Sequence, residues 1–434
     1  MSKVALATLG CKVNQCESAY LEEILLKNSF HIRPYTEEAD FYCINTCAVT
    51  SRAAMESRQL IRRAARRNSE AKIVVMGCYA QVAAEEIAAI PGVTHILGTS
   101  EKLALLDYIS RGEGNASPCI YRKDARNAPD PTPLVFSAFS NRTRAFLKVQ
   151  DGCNAFCSYC IVPYARGCSR SIPLASIIEQ VGRFLDHGYQ EIVLSGIHLG
   201  QWGSDLKPKQ KLIGLLRSIL GHQSPSRLRL SSLEPGEIST DLLVLMASEP
   251  RLCPHLHIPL QSGDATILGR MNRQYHSHFY REIVLEAINR IPDLAVGVDV
   301  MVGFPGETDE QFQNTYLLIE SLPVAYLHIF PFSPRPGTPA AAMGDQIPTA
   351  LISQRCQVLR ELDKNKRLTF LNRFLGKVRS VLVENRQDAT TGLSCGFSDN
   401  YLPVLVQTDV SLENQNVLAR FDRIEGTKLV ATVV

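Results

Sequence analysis

Three cysteines stand close together in the run DGCNAFCSYC: Cys153, Cys157 and Cys160, spaced Cys-x-x-x-Cys-x-x-Cys. Thiolates are soft ligands that suit iron–sulfur clusters. Three ligands on one loop leave the fourth iron of a cubane without a protein thiolate, so that iron can bind a small molecule. The competing readings are a zinc knuckle and a chance group of buried thiols. Structural zinc takes four closed ligands, commonly with paired Cys-x-x-Cys spacing, and this loop offers three. A pure electron carrier normally closes its cluster with four cysteines, so the open position points to catalysis.

A second set is Cys11, Cys47 and Cys78. Spacing says little here, because they lie far apart. Their common feature is position: each follows a strand-like run, VALATLG, ADFYCINT or KIVVMG. In parallel α/β sheets the carboxyl ends of the strands form the ligand-binding edge. Three thiols would then converge on one rim. Buried structural thiols at strand ends are the alternative, since free cysteine is commonly buried.

The chain has 13 cysteines in 434 residues. An odd count without a secretory leader pattern argues against a disulfide framework and for metal or redox chemistry. Cys16 falls five residues after Cys11, in the expected first helix, either as a spectator or as a competitor within the second set. Cys43, Cys119, Cys168, Cys253, Cys356 and Cys395 show no ligand pattern and read as structural. Cys168, close to the three-cysteine loop, is the one most able to depart from that.

The elements that must position these thiols follow from periodicity. Strands are expected at 4–10, 39–46, 72–77 and 93–99, with helices at 15–28, 50–67 and 80–90. Strand–helix alternation implies a small parallel α/β sheet over 1–108. Residues 109–141, with GEGNASP and NAPDPTP, read as a linker. Across 142–370, six strands (144–151, 190–197, 226–233, 255–260, 295–303, 324–332) alternate with helices at 174–187, 211–220, 239–248, 278–290 and 309–321. That pattern predicts a partial parallel (βα)6 barrel closed by a helix at 350–370. Over 371–434 short β-type runs predict a small β-barrel. The fold class is therefore α/β with a terminal all-β unit.

Composition restricts the function only loosely. Net charge is +3 and apolar content 45%, ordinary for a globular chain. No apolar run approaches a membrane span, and a soluble, cytoplasmic protein with no membrane partner is expected. Arg58, Arg62 and Arg66 repeat at i, i+4 with Arg63 and Arg67 beside them, a stripe that fits either phosphate contact or a solvated helix face.

The Cys-x-x-x-Cys-x-x-Cys loop resembles that of the radical S-adenosylmethionine (SAM) superfamily. The resemblance implies a 4Fe-4S cluster whose open iron chelates SAM, and reductive cleavage of SAM to a 5′-deoxyadenosyl radical. Tyr159, before the last cysteine, would pack near the adenine. TLGCKVNQCES, INTCAVTSRA, VMGCYAQ and DGCNAFCSYCIVPYARG together are similar to the motifs of the methylthiotransferases. That resemblance covers nearly the whole chain. It implies an auxiliary 4Fe-4S cluster on Cys11, Cys47 and Cys78, and it likens GFSDNYLPVLV to an RNA-binding TRAM barrel. Its branches act on isopentenyladenosine in tRNA, on threonylcarbamoyladenosine in tRNA, or on an aspartate of a ribosomal protein. GCKVNQ, CIVPYARG and HIPLQSGD look most like the bacterial threonylcarbamoyladenosine branch, although Cys16 stands where that branch is expected to have tyrosine.

The resemblance further implies SAM contacts at successive strand ends: Gly196, Ser232, Glu234, Gln261 and Gly303. It also implies two uses of SAM, a tRNA partner, and a reductant such as flavodoxin or ferredoxin. A monomer is expected. A non-catalytic iron–sulfur RNA-binding protein is the reading from a different class. Phe397, Tyr401 and Phe421 are candidates to stack bases or to pack a barrel core.

Overall fold

The computed structural model describes residues 2–110, 117–222 and 224–434. Its N-terminal sheet has six parallel strands: β1 Lys3–Thr8, β2 His31–Arg33, β3 Phe41–Thr46, β4 Lys72–Gly77, β5 Val93–Leu97 and β6 Cys119–Tyr121. Their order is β2-β1-β3-β4-β5-β6. Four of these strands answer the expectation; β2 and β6 are additions. The short β6 lies inside the stretch read as a linker and pairs with β5 through His95 and Cys119. Three residues carry too little periodicity to be seen in sequence. Residues 111–116 of that stretch lie outside the described residues.

Helix α1 (Lys12–Lys27) follows β1, α2 (Ser51–Arg67) follows β3, and α3 (Cys78–Val82) follows β4 directly. Each of the three cysteines is therefore at a strand-to-helix switch. The buried faces of β3 and β4, with Ile44, Ile73 and Val75, pack against Ala54, Ile61 and Ala64 of α2. This packing fixes the rim on which the thiols sit.

The second layer is the partial barrel. Strands β7 (Arg144–Lys148), β10 (Glu191–Ser195) and β11 (Arg227–Leu230) form one parallel sheet. Strands β12 (His255–His257), β13 (Ala295–Val302) and β14 (Tyr326–Pro331) form another. The two are stitched by the Leu228/Leu252 bridge and by Leu233 N–H donating to the His257 carbonyl. All six expected strands are present in sequence order, open between β7 and β14. The five expected intervening helices are present, and the helix Thr349–Asn372 packs against β14. Between β7 and β10 a short antiparallel pair, β8 (Gln150–Asp151) and β9 (Arg170–Ser171), brackets the cysteine loop. Leu194, Leu230, Val298 and Val300 belong to the core that the barrel strands share with the surrounding helices, including Val181, Leu215 and Val284.

The C-terminal strands β15 (Val378–Gln387), β16 (Ser394–Ser398), β17 (Pro403–Gln407), β18 (Asn416–Glu425) and β19 (Lys428–Val433) close into a barrel in the order β15-β16-β17-β19-β18. Phe421 is fully buried in its core with Val381 and Ala431, so packing and not base stacking is its role.

Candidate metal centres and active site

The Cys153 loop begins where β8 ends. Gly152 holds φ +72, and a Cβ there would lie 1.9 Å from the Cys168 carbonyl oxygen. Only glycine permits this approach. The loop is then tied down by its backbone: Cys153 N–H donates to the Gly167 carbonyl at 3.0 Å, and Ser158 N–H to the Met271 carbonyl at 3.0 Å. The sulfurs have donors aimed at them. Ala155 N–H and the Arg273 guanidinium lie 3.4 Å from the Cys153 and Cys157 Sγ atoms, respectively. His198 Nδ1 also lies 3.4 Å from Cys153 Sγ. Burial disfavours the His198 cation, but its bonds to Cys153 and Glu237 prevail and raise it to about 10. Burial, and then its Cys157 and Cys153 neighbours, push the Cys160 thiol up to about 12.

The second set comes together as its strand ends require. Gly10, at φ +95, sits so close to Cys47 that a Cβ would lie 2.7 Å from Cys47 Cβ and 2.9 Å from its Sγ. Cys47 is pushed up to about 12 by burial and then by the nearby Cys78, with Cys11 adding to it. Burial also raises Cys78, while Arg166 and Lys102 work in the opposite direction. Cys11 is exposed; Cys47 and Cys78 are buried. Cys16 is fully buried in the barrel-side core, its Sγ donating to the Phe146 carbonyl at 3.1 Å. That contact ties its thiol to β7.

A buried ion network joins the two cysteine segments, and sequence reasoning missed it. Glu17 on α1 meets Lys102, Lys148 (3.0 Å) and Arg166 (3.1 Å). Asp151 meets Lys148 at 2.6 Å and Arg166 at 2.9 Å. Arg166 also donates to Asn14 Oδ1 at 2.5 Å. Burial alone would raise both carboxyls, but the cations hold Glu17 and Asp151 below the usual carboxylate range. Asp151 lies two residues before Cys153 and Arg166 six after Cys160, so the network clamps both ends of that loop to the helix after Cys11. The signal available was small: charged residues inside GCKVNQCES and VPYARG.

Beside Cys11 and Cys47 the structure has a cavity of about 660 Å³. Gly10, Cys11, Cys47 and Thr50 form its N-terminal wall. The opposite wall comes from the barrel strands: Arg144, Arg229, Ser232, His255, His257, Asp299, Tyr326 and His328. Tyr401 of the C-terminal barrel borders it as well. A polar chain runs along the barrel wall. His255 Nε2 lies 2.8 Å from the Tyr326 hydroxyl, which lies 3.3 Å from His257 Nδ1. His257 Nε2–H donates to Asp299 at 2.7 Å and His328 Nδ1–H to the same oxygen at 3.2 Å. Together these hydrogen bonds offset Asp299's burial and hold its carboxyl below the usual range.

Comparisons with known proteins agree with this layout. Residues 3–98 match the uncharacterized protein family UPF0004, and residues 147–319 match the radical SAM superfamily. A threonylcarbamoyladenosine tRNA methylthiotransferase MtaB of Bacillus subtilis is 38% identical over 93% of this chain and 90% of its own. The MtaB of Chlamydia pneumoniae is 35% identical over 99% of this chain and 97% of its own. The chain belongs to the radical SAM methylthiotransferase family. A tRNA-2-methylthio-N(6)-dimethylallyladenosine synthase of Fusobacterium nucleatum is 29% identical over the whole of both chains. Among solved structures, the radical SAM methyltransferase TsrM of Kitasatospora setae has a TM-score of 0.56 at 16% identity, covering 79% of this chain and 77% of that one. This likeness bears on the fold alone.

Methylthiotransferases of this family use SAM and 4Fe-4S clusters, and the donor sets here fit them. Both triads are free thiols. Cys47, Cys78 and Cys160, which burial raises, become thiolates when iron replaces their protons. Arg273 beside Cys157, and Arg166 and Lys102 near Cys78, add positive charge where thiolate ligands would sit.

The expected SAM contacts scatter. Glu234 lines a pocket with Cys157, His198 and Arg273, and is ion-paired to Arg273. Ser232 instead lines the central cavity. Tyr159 packs beside Phe304 and Phe332. Gly196 lies against the Gln150 side chain. Gln261 holds a positive φ of 64° and bridges to Val300 of β13. The space beside Gly303 is filled by Ile352, 2.4 Å from where a Cβ would be. His198, Glu237 and Arg273 were missed; among them only His198 lies close in sequence to an expected contact, two residues after Gly196.

Proposed function

We propose that this chain is a tRNA methylthiotransferase that places a methylthio group on C2 of N6-threonylcarbamoyladenosine, 3′ of the anticodon. One observation carries the reading: Cys11 and Cys47 line the same cavity as the inward-facing residues of the barrel strands. A substrate base in that cavity would reach a sulfur carrier from one side and a radical source from the other. When bound, SAM at the Cys153, Cys157 and Cys160 cluster supplies the 5′-deoxyadenosyl radical, and the cluster at Cys11, Cys47 and Cys78 carries the sulfur.

The remaining work belongs to side chains. The Gly152 and Gly10 turns set the two loops, and the Glu17, Asp151 and Arg166 network fixes their separation. Glu234, Arg273 and His198 form the polar pocket next to Cys157, suited to the amino-acid part of SAM. Gly196, Ser232, Gln261, Gly303 and Tyr159 remain the proposed further contacts. Residues 1–108 bear the auxiliary centre, 109–141 connect, 142–370 bear the radical centre, and 371–434 engage RNA, helped by exposed Arg62, Arg63 and Arg66. No helix among the described residues is long and apolar enough to cross a membrane; we assign a cytoplasmic monomer served by a flavodoxin- or ferredoxin-type reductant. The test is nucleoside mass spectrometry after incubating reconstituted enzyme with SAM, reductant and threonylcarbamoylated tRNA. The expected product carries one added methylthio group on that nucleoside. Product only on isopentenyladenosine, or none, refutes the assignment.

A further inference from the structure

The charges on the cavity wall are matched, with one exception. Glu56 pairs with Arg52 at 2.9 Å, Arg144 with Glu384 at 3.1 Å and Arg229 with Glu191 at 2.7 Å. Asp299 accepts from His257 and His328. Lys12 also lines this cavity, and it has no ion-pair partner among the described residues. It is the first residue of α1, next to Cys11, and it faces the wall that holds His255. His255 is 95% buried, and its Nδ1 has no hydrogen-bond partner. Burial, Arg229 and Lys12 all keep that ring neutral. An unpaired ammonium opposite an unsatisfied neutral imidazole makes a place for a ligand carrying an anionic oxygen beside a hydrogen-bonding group.

We propose that Lys12 binds the carboxylate of the substrate's threonylcarbamoyl group and so selects this nucleoside over one with an apolar N6 substituent. This rests on the function proposed above. An isopentenyl group would leave the ammonium desolvated and unpaired, which is costly. A site built for a polar group rejects an analogue lacking it. A backbone phosphate of the anticodon loop has the same anionic chemistry, and the experiment separates the two sources.

The probe is an anticodon stem-loop carrying threonylcarbamoyladenosine, compared with the same RNA whose threonine carboxylate is a methyl ester. Both are assayed for methylthio product on one preparation of full-length reconstituted enzyme. The ratio of their kcat/KM values is thus independent of how much protein is folded or loaded. Wild type should prefer the acid by about tenfold to a hundredfold. Lys12→Gln should bring that ratio to about one, and Lys12→Arg should keep most of it. Equal losses on both RNAs would mean that Lys12 grips a phosphate or acts on the neighbouring centre, and would overturn the proposal. An unchanged ratio in Lys12→Gln would overturn it too. Failure of the wild type to convert either RNA refutes the proposed function itself, and this inference with it.

Discussion

The two cysteine triads reach their geometry by opposite routes. Cys153, Cys157 and Cys160 lie within eight residues, so a single loop builds the site and local bonds hold it. Cys11, Cys47 and Cys78 meet only because three strands of one sheet end at the same rim. The first site is a property of a motif; the second is a property of a fold. What they share is the buried network of Glu17, Asp151, Lys102, Lys148 and Arg166, which holds the two segments together.

The largest effect should come from breaking that shared part. Arg166→Met removes the guanidinium between Glu17 and Asp151 and leaves two buried carboxylates short of a partner. Removing one member of a buried ion group costs about 3–5 kcal/mol. Denaturant unfolding should show that loss, and iron content should fall at both sites together. Loss at one site alone would show that the network does not couple them.

A pH series sets the comparison against a control carried by the barrel strands and by neither cysteine loop. Glu191 is buried against Arg229, and the Arg229 charge overcomes burial to lower its carboxyl from 4.5 to about 2. A depressed folded-state value contributes stability above the unfolded value, near 4.5, that is lost as pH falls toward 2. The contribution is on the order of 3 kcal/mol. Thermal unfolding of the iron-free protein between pH 6 and 3 should show a smaller decline in Glu191→Gln than in wild type.

Gly10→Ala sharpens the contrast between the triads. The added Cβ meets Cys47 at a backbone angle unfavourable to L-residues. A cost of about 1–3 kcal/mol is expected, with iron lost from the second triad and kept at the first. Smallest is the effect of Arg62→Gln with Arg66→Gln on the exposed face of α2. If these side chains touch phosphates, the salt dependence of tRNA binding should flatten by about one unit of slope for each charge removed. An unchanged slope would mark the stripe as a solvated face.

The same contrast explains what the sequence could and could not reveal. Most barrel strands and all five intervening helices were legible because they are patterned runs of useful length; β12 has only three residues but lies in a longer apolar stretch. The strands β2, β6 and β16 escaped, being short and lacking periodicity of their own. The first triad was legible from spacing alone, because its ligands share a loop. The second needed shared strand-end position and family resemblance, because its contacts are long-range. His198 and Arg273 reach Cys153 and Cys157 from 45 and 116 residues away, and no local pattern encodes that. The ion network escaped for the same reason: Glu17 and Arg166 are separated by 149 residues.

The most direct test of the account replaces Cys11, Cys47 and Cys78 together by alanine and follows two products in one reaction with SAM, reductant and threonylcarbamoylated tRNA. 5′-Deoxyadenosine should still form, because the Cys153 loop is intact, and the methylthio nucleoside should disappear. Persistence of the methylthio product, or loss of 5′-deoxyadenosine along with it in a protein that keeps its Cys153-loop iron, would contradict the assignment of two separate centres serving one cavity.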